Sequence, residues 1–150
     1  MKICLVCSHG GHLTEMQQLM DAFEGHKTVL ITYSSERTNS LNNGYLIRHR
    51  GEKFVYLFPT MLDTILKAIN ILLKEKVDVI VSTGGEIAIP FCYIGKLLGA
   101  KIVYIESLCR ITTTSGSGKI IYPIADLFLV QWKSLLKKYG RKAKYWGKVI

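Results

Sequence analysis

Two glycine-bearing turns hold the residue types best suited to chemistry: Ser8-His9-Gly10-Gly11-His12 and Ser82-Thr83-Gly84-Gly85-Glu86. A glycine pair lets the backbone take positive φ and lets a ligand come close, and a helix N-terminus just beyond it favours negative charge. Binding of a phosphate or pyrophosphate is the chemistry to expect. His12 stands where the first turn passes into a helical pattern. A neutral imidazole there can take a hydroxyl proton near pH 7 as a general base, or it can be a hydrogen-bonded capping residue. His9, in the same turn, is the other candidate; His26 and His49 read as surface loop residues. Glu106 ends an apolar run where side chains leave a sheet edge, and Arg110 follows with the reach to clamp a phosphate with two hydrogen bonds. The pair can equally bond to each other. Ser115 and Gly116 belong to a hydroxyl- and glycine-rich run, 112–118, which reads as a flexible loop suited to a polar ligand or to closure. Gln131 and Trp132 close a later apolar run, where an indole beside an amide suits a sugar, a base, a partner domain or the core.

Several chemistries are set aside by spacing. The 112–118 run lacks the order of glycine, lysine and serine on a strand–helix turn that a nucleoside triphosphatase needs. The first turn lacks the GxGxxG spacing and the acidic residue that mark a dinucleotide site. Cys4 and Cys7 lie close to His9 and His12, but residues three apart on a strand face opposite ways and cannot easily share a metal.

Elements that position these residues alternate along the chain. Strands are expected at 3–7, 28–33, 54–58, 77–81, 101–105 and 127–130, with a further one beginning at 145–146. Leu13, Met16, Leu19, Met20 and Phe23 recur at helical spacing before Gly25 stops the pattern. Residues 34–43 read as a loop or short helix, and Pro59 ends the third strand. Residues 61–74 form a two-faced helix, with Leu62, Ile65, Leu66, Ile69, Leu72 and Leu73 opposite Asp63, Lys67, Asn70 and Lys74. Residues 87–98 form a helix that is apolar nearly all round, with Pro90 tolerated in its first turn and Gly99 at its stop. Alternation of this kind implies parallel strands with crossover helices, hence an α/β, Rossmann-like, doubly wound parallel sheet. In such a sheet both glycine turns aim at the edge where ligands bind.

The 150 residues read as one domain, 1–150, with 49% hydrophobic residues and no linker or repeat. Four cysteines without a signal peptide imply free thiols in a reducing compartment. The net charge of +9 is concentrated in the second half. Lys133, Lys137, Lys138, Arg141, Lys142, Lys144 and Lys148 form a closing stretch with no acidic residue, suited to anionic lipid, nucleic acid or an acidic partner. No stretch reaches the ~18 apolar residues of a membrane span, so any membrane contact is expected to be peripheral.

In this order, these residues resemble the PssD/EpsE-type glycosyltransferase subunits of bacterial exopolysaccharide synthesis. They are similar also to the membrane-anchoring, asparagine-linked glycosylation subunit of the eukaryotic transferase that adds the second GlcNAc to lipid-linked oligosaccharide. The resemblance covers nearly the whole chain. It is most specific at residues 8–13, at 82–91, and from Tyr104-Ile105-Glu106-Ser107 through Arg110, Ser115, Gly118-Lys119 and Asp126 to Gln131-Trp132. More distantly, the Gly-Gly-His turn, the Thr-Gly-Gly turn with its following proline and the glutamate after the strand resemble the N-terminal half of MurG.

What the resemblance implies is the N-terminal, acceptor-side half of a GT-B glycosyltransferase. A separate small chain of the PssE type would bind the nucleotide sugar, most simply a UDP-sugar, and the active site would form in the cleft between the two. The length of the chain fits that division. Transfer would be inverting, onto a lipid-pyrophosphate-linked sugar acceptor, with His12 or a residue of the partner as base. No metal and no cofactor are implied. Glu106 would serve in catalysis and Arg110 would orient the acceptor. Gly10, Gly11, Gly84, Gly85, Glu86, Ser115 and Gly116 would line its phosphates, and Gln131 and Trp132 would meet the partner or a sugar. The eukaryotic subunit's N-terminal membrane segment has no counterpart here. Attachment would be peripheral, on the cytoplasmic face of an anionic membrane, through the basic surface and exposed apolar helix residues. Two other readings stand beside this one. The first is a non-catalytic subunit that recruits and activates a donor-binding chain. The second is a basic, Rossmann-like nucleotide- or nucleic-acid-binding protein, and no recognised nucleic-acid motif supports it.

Overall fold

The computed structural model describes residues 1–35, 44–48 and 57–149, which form one seven-stranded parallel sheet. In chain order the elements are β1 (Lys2–Cys7), α1 (Gly11–Gln18), β2 (Lys27–Tyr33), β3 (Gly44–Ile47), α2 (Leu57–Glu75), β4 (Val79–Gly84) and α3 (Ala88–Leu97). Then follow β5 (Lys101–Ile105), α4 (Gly116–Ile121), β6 (Leu127–Leu129), α5 (Leu136–Tyr139) and β7 (Ala143–Lys144). The strand order is β3-β2-β1-β4-β5-β6-β7. After β3 the chain crosses over β1 through α2 and resumes at β4, so β1 and β4 are neighbours although the paired residues Ile3 and Val79 lie 76 positions apart in sequence. That junction is the topological switch point, where the loops leaving two adjacent strands diverge and open a crevice at their carboxyl ends. Both glycine turns leave from it.

The near-continuous apolar character of β1 follows from burial on both faces. Cys4 and Val6 join Phe91, Ile102, Tyr104 and Phe128 beneath α2, α3 and α4. Ile3, Leu5 and Cys7 join Leu13 and Met16 of α1 on the opposite face. Cys4 and Cys7 therefore sit in different clusters, as the period of a strand requires. Burial pushes the Cys7 thiol up to about 12, with weaker opposing hydrogen bonds from Thr32 and Thr83, and pushes the Cys92 thiol to about 12. These two thiols stay protonated and unreactive near neutral pH.

Several boundaries differ from the sequence expectation. Residues 54–56 of the expected third strand lie outside the described residues, as do His49 and most of 34–43. Leu57 and Phe58 begin α2 instead, and Pro59 lies in its first turn, where a missing N–H costs no hydrogen bond. The third strand is β3, a four-residue edge segment that pairs Tyr45 with Ile31. The helical pattern after the first turn breaks at Leu19 into a 3-10 turn, Met20–Phe23. The run 112–118 is not all loop: Ser115 caps α4, its hydroxyl accepting the Gly118 N–H at 2.9 Å. The last strand comes two residues before Tyr145, at Ala143–Lys144.

Candidate functional site

The registers of β1 and β4 slip once. Val6 pairs with Ser82 but Cys7 pairs with Gly84, so Thr83 is left out of the ladder. An extra residue of this kind re-aims backbone and side-chain groups that would otherwise be spent on the sheet. Here both go to α1. The Thr83 hydroxyl donates to the His12 carbonyl at 2.7 Å, and the Thr83 carbonyl meets His12 Nδ1 at 2.9 Å. A carbonyl can only accept, so Nδ1 carries the proton, and in the neutral form of the ring the lone pair is on Nε2. His12 is half-buried at the mouth of the crevice.

The second glycine turn is shaped to seat that ring. At Gly84, with φ 117°, a Cβ would stand 3.0 Å from His12 Cε1 and 3.2 Å from the Tyr104 hydroxyl. Gly84 N–H donates to Ser82 Oγ at 3.1 Å and its carbonyl accepts Ser8 N–H at 3.2 Å. Its polar groups are thus occupied within the protein, and the absence of a side chain leaves room for the His12 ring. Gly85, at φ 97°, lies so close to Ser8 that a Cβ would come within 2.6 Å of that residue's Cβ. Glu86 is exposed at the start of α3 and pairs with the Tyr33 hydroxyl; burial first, then this carboxylate's charge and hydrogen bond, hold the Tyr33 phenol protonated. A carboxylate at that helix end offsets its positive dipole and disfavours an anion there.

α1 is the contrary case. Gly10, at φ 79°, precedes it with no side-chain cap, both Gly10 and Gly11 are exposed, and a Cβ on either would meet nothing within 4 Å. The first N–H groups of α1 have no intrahelical partner. Room, donors and the positive end of a helix therefore coincide next to His12. His9 is exposed in the same turn, its ring edge-on to Tyr33 at 5.9 Å.

Glu106 is fully buried at 0% exposure. Its Oε1 accepts Ser107 N–H at 2.9 Å; its Oε2 accepts Ser115 N–H at 3.2 Å, Ser115 Oγ–H at 2.8 Å and the Tyr139 hydroxyl. The carboxylate does not pair with Arg110; four donors from the protein itself occupy it. It binds the start of α4 to the end of β5. Ser115 is likewise buried and occupied, and the Tyr104 hydroxyl reaches Ser117 Oγ at 3.0 Å. Gly116 is exposed. Arg110 is exposed, at the end of a turn in which its N–H donates to the Ser107 carbonyl at 3.0 Å. Gln131, 1% exposed, is a rivet: Nε2 donates to Glu15 Oε2 at 2.9 Å and to the Glu106 carbonyl at 3.0 Å, while Oε1 accepts Val149 N–H at 2.7 Å. The Trp132 indole N–H donates to the Leu108 carbonyl at 2.7 Å, and Lys148 Nζ lies 3.6 Å over its ring. Its indole is committed to the protein's own loop and tail.

Glu15, Thr83, Tyr104 and Tyr139 are absent from the candidates drawn from sequence. Thr83 acts through an irregular register, which no residue type announces. Glu15 falls on α1 beside the apolar positions Leu13 and Met16, and a polar residue at the rim of an apolar face is a weak signal.

Residues 3–149 match the family described as oligosaccharide biosynthesis protein Alg14 like. The UDP-N-acetylglucosamine transferase subunit ALG14 of Candida albicans is 31% identical over 172 residues, covering 99% of this chain and 78% of that protein. Its human counterpart is 27% identical over 181 residues, covering 100% of this chain and 83% of that one. Among solved structures, Acinetobacter baumannii MurG superposes with a TM-score of 0.78 at 15% identity, over 97% of this chain and 45% of MurG. The UDP-N-acetylglucosamine 2-epimerase of Rickettsia bellii superposes with a TM-score of 0.75 at 16% identity, over 99% of this chain and 45% of the epimerase. The chain spans less than half the length of those two proteins, and at such identity the likeness is one of fold: a Rossmann-like half of a GT-B architecture.

Proposed function

Because the chain belongs to the Alg14-like family of oligosaccharide biosynthesis proteins, we propose that it is the acceptor-side subunit of a two-chain, inverting glycosyltransferase. The sugar comes from a nucleotide sugar, a UDP-sugar by the names of its relatives, and goes to a lipid-pyrophosphate-linked sugar. The donor is bound by a separate small chain of the PssE type, which closes the other wall of the cleft. The observation that carries the reading is His12: Nδ1–H is anchored on the Thr83 carbonyl, Nε2 is left as a base, and the uncapped start of α1 adjoins it.

In this reading the acceptor pyrophosphate sits over Gly10 and Gly11, where backbone N–H groups and the helix dipole offset its charge. His12 Nε2 takes the proton of the acceptor hydroxyl as that oxygen attacks the anomeric carbon. The bond to the donor's phosphate oxygen breaks, and the nucleoside diphosphate leaves with the electron pair. Arg110 is the exposed cation that meets phosphate. Glu106, buried and saturated with donors, is a positioning residue that holds the Ser115–Gly116 turn. No metal or cofactor is required, since helix dipole and cations stabilise the charges.

No helix among the described residues is long and apolar enough to cross a membrane. Peripheral attachment to a membrane is supported by α2, whose Leu62, Leu66, Ile69 and Leu73 form an exposed stripe, Leu66 being 54% exposed, and by the basic closing stretch.

The test is transfer by the chain reconstituted with its donor-binding partner on a lipid-linked acceptor. His12→Gln is expected to lower kcat by roughly 10²–10⁴-fold, the usual worth of a positioned base, with partner affinity unchanged. A subunit that only recruits its partner would keep full turnover in this variant.

A further inference from the structure

α1 carries one carboxylate, Glu15, and it points inward at 8% exposure. Its Oε1 accepts Ser107 Oγ–H at 2.8 Å, its Oε2 accepts Gln131 Nε2–H at 2.9 Å, and Leu108 N–H lies 3.2 Å from each oxygen. Every one of these donors is neutral. Burying a carboxylate without a cation is costly unless its lone pairs are met, and here donors from two other elements meet them.

The placement matters because, apart from the two Thr83 bonds at His12 itself, α1 has few anchors. The helix has eight residues and buries only Leu13 and Met16 as apolar anchors. Apolar burial is non-directional, so two such side chains hold the helix against the sheet without setting its rotation about its own axis. Hydrogen bonds to a carboxylate are directional and strong. Glu15 is also one turn on from His12, on the neighbouring ridge of the helix. At the far end of the contact, Ser107 is the pivot of the turn that presents Arg110: its Oγ accepts Cys109 N–H at 3.3 Å and its carbonyl accepts Arg110 N–H at 3.0 Å. Gln131 passes the restraint on to the Glu106 carbonyl.

Given the reading of His12 as the base, we infer that Glu15 is a positioning residue: it sets the rotation of α1 and thereby the placement of the His12 ring relative to the turn that carries Arg110. Glu15 touches no reacting atom in this arrangement. It joins the two sides of the crevice, the β1 side and the β5–β6 side, through one buried group. Displacing a base by about 1 Å can cost on the order of 10²-fold in rate, so the restraint is of the size that catalysis would require.

Glu15→Gln tests this. Its amide places an N–H against a donor whichever way it turns, without changing the volume of the side chain. Two readouts are taken on the full chain: the ring-nitrogen NMR signals of His12, and kcat and KM in the reconstituted transferase. Wild type is expected to show a single Nδ1–H tautomer. In Glu15→Gln those signals are expected to move toward the average of the two tautomers, with kcat down about 10- to 100-fold and the KM for the nucleotide sugar unchanged. Unchanged His12 signals overturn the inference, even if the melting temperature or kcat falls, because a merely structural carboxylate would act in that way. Should Glu15→Gln fail to fold, Ser107→Ala, which removes a single donor to Glu15, is judged by the same His12 signals. If the wild-type pair transfers no sugar, the transferase reading is lost, and the NMR comparison still decides what Glu15 does.

Discussion

His12 is oriented by a backbone carbonyl rather than by a carboxylate, and the difference bears on what it can do. A carboxylate would hold the imidazolium as a strong partner; a carbonyl chiefly selects the tautomer and the ring plane. Gly84 is part of that selection. At φ 117° any side chain is strained, at a cost of roughly 1–3 kcal/mol, and a Cβ would press on both the His12 ring and the Tyr104 hydroxyl. Gly84→Ala is therefore expected to lower the melting temperature and to reduce transfer further than the loss of stability accounts for. Turnover measured well below the melting temperature checks this: wild-type kcat there would separate Gly84 from the seating of His12. The histidine and the glycines were legible as residue types in sequence. Thr83 was not, because the group that orients the ring is its carbonyl, which every residue possesses.

Between elements, the sequence revealed those with strong periodicity and missed those held by tertiary contacts. β1, β4, β5 and the main run of α2 lie where apolar runs and helical spacing put them. The start of α4 does not: threonine, serine and glycine are poor helix formers, yet the Ser115 cap and the Glu106 carboxylate hold Gly116–Ile121 in a helical turn. A similar cross-element bond is made by Asp126, just before β6. Its carboxylate receives Ile102 N–H of β5 at 2.8 Å and Lys96 Nζ of α3 at 2.7 Å. Burial acts to raise its pKa, but the Lys96 and Ile102 hydrogen bonds and the charges of Lys96 and Lys101 outweigh it and hold the carboxyl below its ordinary value. A folded pKa below the unfolded one means that this contribution to stability is complete above about pH 4 and is lost as pH falls through the folded pKa. Urea unfolding between pH 7 and pH 3 is expected to show a smaller acid loss for Asp126→Asn than for wild type. Equal losses would mean that Asp126 is not linked to folding.

At the scale of the molecule, charge and apolar surface are distributed unevenly. No acidic residue follows Asp126, while Lys133, Lys137, Lys138, Arg141, Lys142, Lys144 and Lys148 all do. Trp146 is 68% exposed among them, with Lys144 Nζ 5.7 Å from its ring. Cations near an anionic bilayer contribute about 1 kcal/mol each, screened by salt. The chain is expected to sediment with phosphatidylglycerol vesicles at low ionic strength and to be released as salt rises, and Leu66→Asp on the α2 stripe is expected to weaken binding that remains at high salt. Failure to sediment with anionic vesicles at any salt concentration would remove the peripheral-membrane reading.

By itself, the sequence determined the architecture and the position of the two glycine turns at neighbouring strand ends. Apolar runs of strand length alternating with helical repeats leave few topologies open, and glycine pairs at strand ends mark where a backbone must turn tightly. Tertiary structure alone decided which polar side chains remain available. Glu106, Ser115 and Gln131 look like ligands in the chain, yet folding supplies each with hydrogen-bond partners within the protein and turns them into fasteners. Glu15 was hidden for the same reason: its partners at Ser107 and Gln131 lie 92 and 116 residues away, and no local pattern encodes a bond across that distance.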